Sequence, residues 1–96
     1  MELLVTYDVA TDTQEGRRRL RHVADVCEAH GQRVQKSVFE CILDAKGLEL
    51  LRHRLLKEVD QEQDSLRIYV LKEPRQRYLQ VIGRQPEFDL HDPLVF

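Results

Sequence analysis

Stretches with helical periodicity alternate with segments of strand character, and this order limits the folds open to the chain. Residues 2–8 carry apolar side chains on both parities, which is typical of a strand buried on both faces. Asp12 is predicted to cap the first helix, Glu15 to complete a capping box, and Gly31 to end the helix. A long extended segment over residues 34–43 follows.

A second helix and two further extended segments complete the pattern. Asp44 is predicted to cap the second helix, residues 65–71 form a third strand, and residues 78–82 form a short fourth strand closed by Gly83. If the long segment over residues 34–43 splits in two, the order becomes β-α-β-β-α-β with an extra C-terminal strand. This is an α+β, ferredoxin-like sandwich in which both helices cover one face of the sheet.

The other face of such a sheet is open, although the first strand is apolar on both faces. A second copy related by a two-fold axis is the simplest cover, so we expect a homodimer. Residues 1–83 then form one domain. The tail 84–96 contains Phe88, Leu90 and Phe96, which are too apolar for a free tail, so it is expected to dock on the partner subunit or on a different partner protein.

The composition excludes several functional classes. The net charge of −2 argues against a uniformly basic, histone-like binder. Cys27 and Cys41 have no CxxC spacing, and no HxxxH pair occurs, so we predict buried thiols in a reducing compartment and no zinc site. With neither a signal peptide nor an apolar stretch long enough to span a bilayer, the protein is expected in the cytoplasm.

Asp8 ends the first strand, just before a loop and the arginine-rich segment 16–21. A carboxylate at a strand tip beside guanidiniums can hold a hard cation next to a phosphate, which suits phosphodiester chemistry or nucleic-acid binding. The alternative is that the acid only caps a turn or the next helix. In a face-to-face dimer, two Asp8 side chains could approach each other across the axis and share one ion.

Three segments resemble those of a known family. Residues 4–8 end the first strand with Tyr-Asp, residues 33–40 resemble R-V-Q-x-S-V-F-E, and residues 64–69 are similar to D-S-x-R-I-Y. The family is the small CRISPR-associated endonuclease of the spacer-acquisition (adaptation) module, the partner of the CRISPR integrase. The resemblance covers roughly residues 2–83, in order and spacing.

The resemblance implies a ferredoxin-like homodimer that bridges two integrase dimers and supports the duplex of an incoming spacer. It implies that Asp8 is the catalytic and metal-binding residue, with Mg²⁺ as the usual ion and Mn²⁺ able to replace it. It also implies hydrolysis of phosphodiester bonds in single-stranded RNA or double-stranded DNA. Other members of the family serve as scaffolds, with no cleavage needed for spacer acquisition.

Four further residues are candidates for nucleic-acid contacts or assembly. Arg17, Arg18 and Arg33 could clamp phosphates, because guanidinium matches phosphate oxygens in a bidentate way. Phe39 could stack on a base or lie in the dimer interface, although its alternation with Cys41 also fits the core. The competing functions are a non-catalytic DNA scaffold, a toxin-like RNA interferase and, with less support, a small-ligand regulatory domain.

Overall fold

The computed structural model describes residues 1–84, which form two helices packed on one face of a four-stranded antiparallel sheet. The elements in chain order are β1 (Glu2–Asp8), α1 (Gln14–His30), β2 (Gln32–Gln35), β3 (Val38–Ile42), α2 (Ala45–Glu58) and β4 (Ser65–Leu71). The strand order in the sheet is β2-β3-β1-β4. The predicted β-α-β-β-α-β order is confirmed, and the long extended segment splits in two as expected.

The core lies between the sheet and the two helices. On β1 and β3, alternate side chains turn toward the helices, and α1 and α2 contribute apolar side chains at helical spacing. Burial of each large member stabilises the fold by roughly 1.5–3 kcal/mol. The fully buried members are Leu3, Val5, Val23, Cys27, Phe39, Cys41, Leu51 and Leu55. Cys27 and Cys41 are free thiols, as predicted.

The helix ends agree with the sequence analysis at two of three predicted positions. Asp44 caps α2, and its Oδ1 accepts a hydrogen bond from Gly47 N at 2.7 Å. Gly31 ends α1, where a Cβ would collide with Cys41 Sγ. The predicted cap of α1 is wrong: Thr13, not Asp12, accepts from Gly16 N, at 3.0 Å. Both are capping residues, and their sequence positions do not decide between neighbours.

The predicted extra C-terminal strand is also wrong within residues 1–84. After β4 the chain passes through Pro74 and a 3₁₀ turn (Arg75–Arg77), and residues 78–82 pair with no strand of this chain. Ile82 is 91% exposed. β2 and β4 are edge strands of the sheet, so strand character in the sequence does not by itself decide whether a segment pairs with an edge. The predicted docking of the tail concerns residues that lie, apart from Arg84, outside the described part.

The face of the sheet turned away from the helices, called the open face below, carries a mixed set of side chains. The strand register places on it Glu2, Leu4, Thr6, Asp8, Val38, Glu40, Ile42, Ser65, Arg67, Tyr69 and Leu71. Ile42 and Tyr69 are 46% and 43% exposed. β1 therefore has apolar side chains on both faces, as predicted, but nothing within residues 1–84 covers one of those faces. Among residues 1–84, no helix is long and apolar enough to cross a membrane.

Candidate active site

Asp8 is exposed at the C-terminal end of β1, on the open face. It lies opposite Ser65, the first residue of β4, and the next residue on that face of β4 is Arg67, opposite Thr6. In antiparallel pairs, opposite Cβ atoms are about 4.5–5.5 Å apart and diagonal neighbours about 7–8 Å. A carboxylate, a hydroxyl and a guanidinium therefore lie side by side at this corner of the sheet.

Arg67 is oriented by a neighbour on its own strand. Its Nη1 donates a hydrogen bond to the Tyr69 hydroxyl at 3.0 Å. This hydrogen bond raises the pKa of Arg67 further, so the side chain is always charged. Within residues 1–84, Arg67 has no carboxylate partner at ion-pair distance, which leaves its charge available for an anion.

The loop that follows Asp8 is held by Asp64. Ala10 N donates to Asp64 Oδ1 at 3.1 Å, and Arg19 Nε donates to Oδ2 at 2.9 Å. Asp60 N donates to Oδ2 at 2.9 Å, and the Asp64 side chain has no exposed surface. Burial alone would raise the pKa of Asp64, but the hydrogen bonds from Arg19, Asp60 and Ala10 outweigh it and lower that pKa. The carboxylate is therefore ionised at neutral pH.

Two of the predicted phosphate-binding arginines line one groove. Arg17 and Arg33 lie with Tyr7, Lys36 and Ser37 around a groove of about 430 Å³ on the α1 side of the sheet. The same groove also contains acidic side chains, Asp25 and Glu28.

The two arginines of the groove are held in different ways. Arg17 Nη1 donates to Thr11 O at 3.2 Å. Arg33 Nη1 lies 3.8 Å from Glu28 Oε2. Burial raises the pKa of the neighbouring Tyr7 and a hydrogen bond with Arg33 opposes it, so the phenol stays protonated at neutral pH. The groove thus contains two guanidiniums and a neutral phenol, and the Glu28 carboxylate lies close to Arg33.

The groove and Asp8 lie at the same end of the sheet but on opposite faces of it. Tyr7 and Asp8 are consecutive in β1, so their side chains point to opposite faces. Tyr7 N donates to Ser37 O at 3.2 Å, which fixes the β2–β3 turn beside this end of β1. Arg18 is exposed on α1 and does not line the groove. The sequence suggested that the arginines and Asp8 form one site. In the structure Arg17 and Arg33 lie on the helix-covered side of the sheet and Asp8 lies on the open face.

Phe39 does not fit either role that the sequence analysis gave it. Its side chain is 0% exposed, and its ring stacks with that of Tyr7 at a centroid distance of 6.2 Å. The guanidinium of Arg33 covers it at 5.0 Å from the ring centroid. The alternation in β3 places Phe39 with Cys41 on the helix-covered face, so no ring surface remains for a base or a second copy.

The residues around Asp8 fit a magnesium ion that takes most of its ligands from elsewhere. No group of three or more His, Cys, Asp or Glu side chains within residues 1–84 could hold a metal. Magnesium, however, is usually bound by one or two carboxylates, several waters and substrate phosphate oxygens. An exposed carboxylate beside an unpaired arginine suits that mode of binding, and a second Asp8 from another chain would suit it better.

Ser65, Arg67 and Asp64 were not singled out as site residues from the sequence. Ser65 and Arg67 share the parity of one strand, so their common face could have been read from the alternation. Their proximity to Asp8 depends on the β1–β4 register, which joins residues 57 positions apart in the chain. The Asp64–Arg19 pair is similarly non-local, and nothing near either residue in the sequence indicates it.

Comparisons with known proteins agree with this fold. The family model described as "CRISPR associated protein Cas2" matches residues 1–78. The chain is 53% identical over 95 residues to the CRISPR-associated endoribonuclease Cas2 1 of Moorella thermoacetica, covering 99% of both chains. It is 49% identical over 96 residues to the CRISPR-associated endonuclease Cas2 of Halalkalibacterium halodurans, covering 100% of both. The crystal structure of Streptococcus pyogenes Cas2 superimposes with a TM-score of 0.77 at 48% identity, covering 86% of this chain and 100% of that one.

Proposed function

Because this chain belongs to the Cas2 family of CRISPR-associated proteins, we propose that it is a metal-dependent endonuclease of spacer acquisition that hydrolyses phosphodiester bonds at Asp8. The observation that carries the proposal is the exposed Asp8 carboxylate on the open face, with Ser65 opposite it and Arg67 beside it. The relatives from M. thermoacetica and H. halodurans are named endoribonuclease and endonuclease. Single-stranded RNA and duplex DNA are therefore both proposed as substrates.

The active form is a homodimer joined through the open face. Ile42 and Tyr69 are each more than two-fifths exposed there, and Leu4 and Leu71 lie on the same face, with Glu2 and Glu40 among them. A two-fold axis that passes near the Asp8 end of this face would bring the two Asp8 carboxylates into one symmetric cleft. Two carboxylates with water and phosphate oxygens would complete the ligand set that Mg²⁺ prefers.

The chemistry follows from the side chains at the corner of the open face. The two Asp8 carboxylates would hold Mg²⁺ or Mn²⁺. When bound, such an ion activates water and offsets the charge that develops on the phosphate. Arg67 binds a non-bridging phosphate oxygen and Ser65 donates a hydrogen bond to the same group. Because these groups read phosphate and not base edges, cleavage should show little dependence on sequence.

The basic groove would extend the nucleic-acid path around the end of the sheet. Arg17 and Arg33 line it, and each can bind a phosphate that flanks the cleaved bond. Arg18 is exposed on the outer surface of α1 and could add a further phosphate contact. The integrase dimers and the spacer duplex are the proposed partners, on the strength of family membership.

A second function, a non-catalytic scaffold for the integrase, is favoured by one observation. Arg17 and Arg33 lie on the α1 side of the sheet, whereas Asp8 lies on the open face. Binding of duplex DNA along the groove therefore does not require the carboxylate. In this case Asp8 would be a structural acid, and duplex binding and integrase binding would survive its replacement.

The test is cleavage of single-stranded RNA and duplex DNA by the purified protein, with Mg²⁺ and with chelator. Asp8→Asn removes the charge with little change in shape. Asp12→Asn is the matched control, because Asp12 is also an exposed acid of the same loop region. Metal-dependent cutting that only Asp8→Asn abolishes supports the nuclease. No cutting by the unchanged protein, with duplex binding equal in all three, would establish the scaffold instead.

A further inference from the structure

We propose that Asp64 is a positioning residue for Asp8, which fixes the loop after β1 and so directs the Asp8 carboxylate into the cleft. This inference rests on the proposed function, because it assigns Asp64 a role in the same site. It concerns how the site is held, and neither the family match nor the resemblance of residues 64–69 assigns it.

The first step is that each oxygen of the Asp64 carboxylate accepts two hydrogen bonds. Oδ1 accepts from Ala10 N at 3.1 Å and from Arg19 Nη2 at 3.3 Å. Oδ2 accepts from Arg19 Nε at 2.9 Å and from Asp60 N at 2.9 Å. The side chain is fully buried, so each of these contacts replaces a hydrogen bond to water that is no longer possible. One carboxylate thus joins the loop after β1, helix α1 and the turn before β4.

The second step is the short path from Asp64 to Asp8. Asp64 directly precedes Ser65, which pairs with Asp8 at the end of the β1–β4 ladder. Ala10 lies two residues beyond Asp8, so its amide is the next fixed point of the backbone after the ladder ends. The side chain of Val9, between them, is buried in the core. The backbone is therefore fixed on both sides of the Asp8–Ala10 segment. Asp8 pairs with Ser65 in the ladder, and Ala10 N donates to Asp64.

The third step concerns the carbonyl group of Ala10, which packs against α1. A Cβ at Gly16 would collide with the Ala10 carbonyl oxygen, so the loop packs directly against the first turn of α1. The amide of Ala10 is held by Asp64 while its carbonyl is held against Gly16. The peptide group before Ala10 and the one after it are thus each restrained, which limits backbone rotation at Ala10 and helps to keep the preceding residues in one conformation.

Arg19 belongs to this arrangement and not to the phosphate-binding surface. Its guanidinium contacts both oxygens of Asp64, and its side chain is only 18% exposed. Its neighbours Arg17 and Arg18 are exposed. The role of Arg19 is to neutralise the buried carboxylate and keep its two oxygens as acceptors. Replacement by lysine would keep the charge but lose the two-pronged contact.

Asp64→Asn is the informative substitution because it is isosteric. Each oxygen of Asp64 faces two N–H donors, so whichever oxygen becomes an NH₂ group is set against donors. This change alone is expected to lower the stability of the fold, so the matched control must lose stability elsewhere. Asp44→Ala serves, because Asp44 caps α2 and has no contact with the loop after β1.

The experiment compares the unchanged protein, Asp8→Asn, Asp64→Asn, Arg19→Lys and Asp44→Ala at a temperature where all five are folded. The first measurement is hydrogen exchange of the Ala10 amide, corrected for global stability. The second is Mn²⁺ affinity, read from the paramagnetic signal of free ion. We expect Asp64→Asn to speed Ala10 exchange and to weaken Mn²⁺ binding, each at least about tenfold relative to Asp44→Ala. For Arg19→Lys, the Ala10 exchange rate and the Mn²⁺ affinity should both lie between those of Asp64→Asn and Asp44→Ala.

The results separate this inference from the function on which it rests. Equal Ala10 exchange in Asp64→Asn and Asp44→Ala overturns the inference. So does faster exchange with Mn²⁺ affinity unchanged, because the loop would then not direct the metal site. Mn²⁺ binding that is equal in Asp8→Asn and the unchanged protein overturns the proposed function itself, and with it the site that Asp64 is inferred to position.

Discussion

Arg33 lies over the ring of Phe39, with its guanidinium carbon 5.0 Å from the ring centroid. A residue predicted from the sequence to bind phosphate thus also covers the aromatic side chain predicted to bind a base. The two roles of Arg33 can be separated by experiment, because only one of them needs nucleic acid.

Arg33→Ala should lower both stability and duplex binding. Loss of the contact with Phe39 should reduce the free energy of unfolding by about 0.5–1 kcal/mol, measured by urea denaturation. Loss of a phosphate contact should reduce the slope of log affinity against log salt by about one. Arg18→Ala is the control for stability, because Arg18 is exposed and does not line the groove that contains Arg33. An unchanged salt slope in Arg33→Ala would remove Arg33 from the nucleic-acid surface.

Arg67→Gln should slow cleavage, because it removes the charge nearest to Asp8 on the open face. A charge-assisted hydrogen bond is worth about 1.5–3 kcal/mol, so the single-turnover rate should fall by about ten- to a hundredfold. Tyr69→Phe removes only the hydroxyl that orients Arg67 and should have a smaller effect. If Arg67→Gln cuts as fast as the unchanged protein, Arg67 does not contact the reacting phosphate.

Acid should weaken the fold through Asp64. Its pKa is lowered in the folded state, so its contribution is present above the unfolded value of about 3.9 and is lost as pH falls through the lower folded value. The free energy of unfolding should therefore fall below about pH 4, and the part due to Asp64 should be missing in Asp64→Asn. Denaturation series from pH 2 to pH 6 would measure it. Identical pH profiles would mean that Arg19 does not stabilise the ionised carboxylate.

The two cysteines should be inert in the folded protein. Burial raises the pKa of Cys27 to about 12 and that of Cys41 to about 11, and the thiolate is the reactive form. Iodoacetamide at pH 8 should modify neither until denaturant is added, as followed by intact mass. Rapid labelling without denaturant would show that α1 or β3 opens locally.

Ile42→Asp should weaken the proposed homodimer, since it replaces an exposed apolar side chain of the open face by a charge and sets that charge opposite Glu2. Leu50→Asp is the matched control, because Leu50 is similarly exposed, at 51% against 46%, but lies on α2 and away from that face. Light scattering with size-exclusion chromatography should give a smaller mass for Ile42→Asp only. Equal masses for both variants would place the interface elsewhere on the molecule.

The sequence predicted elements well where the signal is local. Helix periodicity, the Asp44 cap and the Gly31 stop depend on residues within a few positions, and all are confirmed. Pairing between distant residues was not predictable in the same way. Residues 78–82 have strand character but pair with no strand within residues 1–84, although β2 and β4 are edge strands, and the position of Arg67 beside Asp8 depends on the β1–β4 register.

The same distinction explains the errors at the site. For Phe39, residue type suggested stacking on a base, while alternation with Cys41 fitted the core or a dimer interface, and the structure shows the core. Arg19 belongs to the same arginine-rich segment as Arg17 and Arg18, yet its partner Asp64 lies 45 residues away. Residue type and local period therefore identified candidates, and only the packing of distant segments assigned them to faces.

The pairing of Asp8 with Ser65 also limits how this chain can change in length. Side chains alternate along a strand, so one residue inserted into the seven-residue β1 before Asp8 would turn the carboxylate toward the helices. Two inserted residues would return it to the open face but move it about 7 Å along the strand. The site thus tolerates substitutions around it more readily than insertions or deletions. The number of residues in β1 determines which face Asp8 lies on, whatever the neighbouring residue types are.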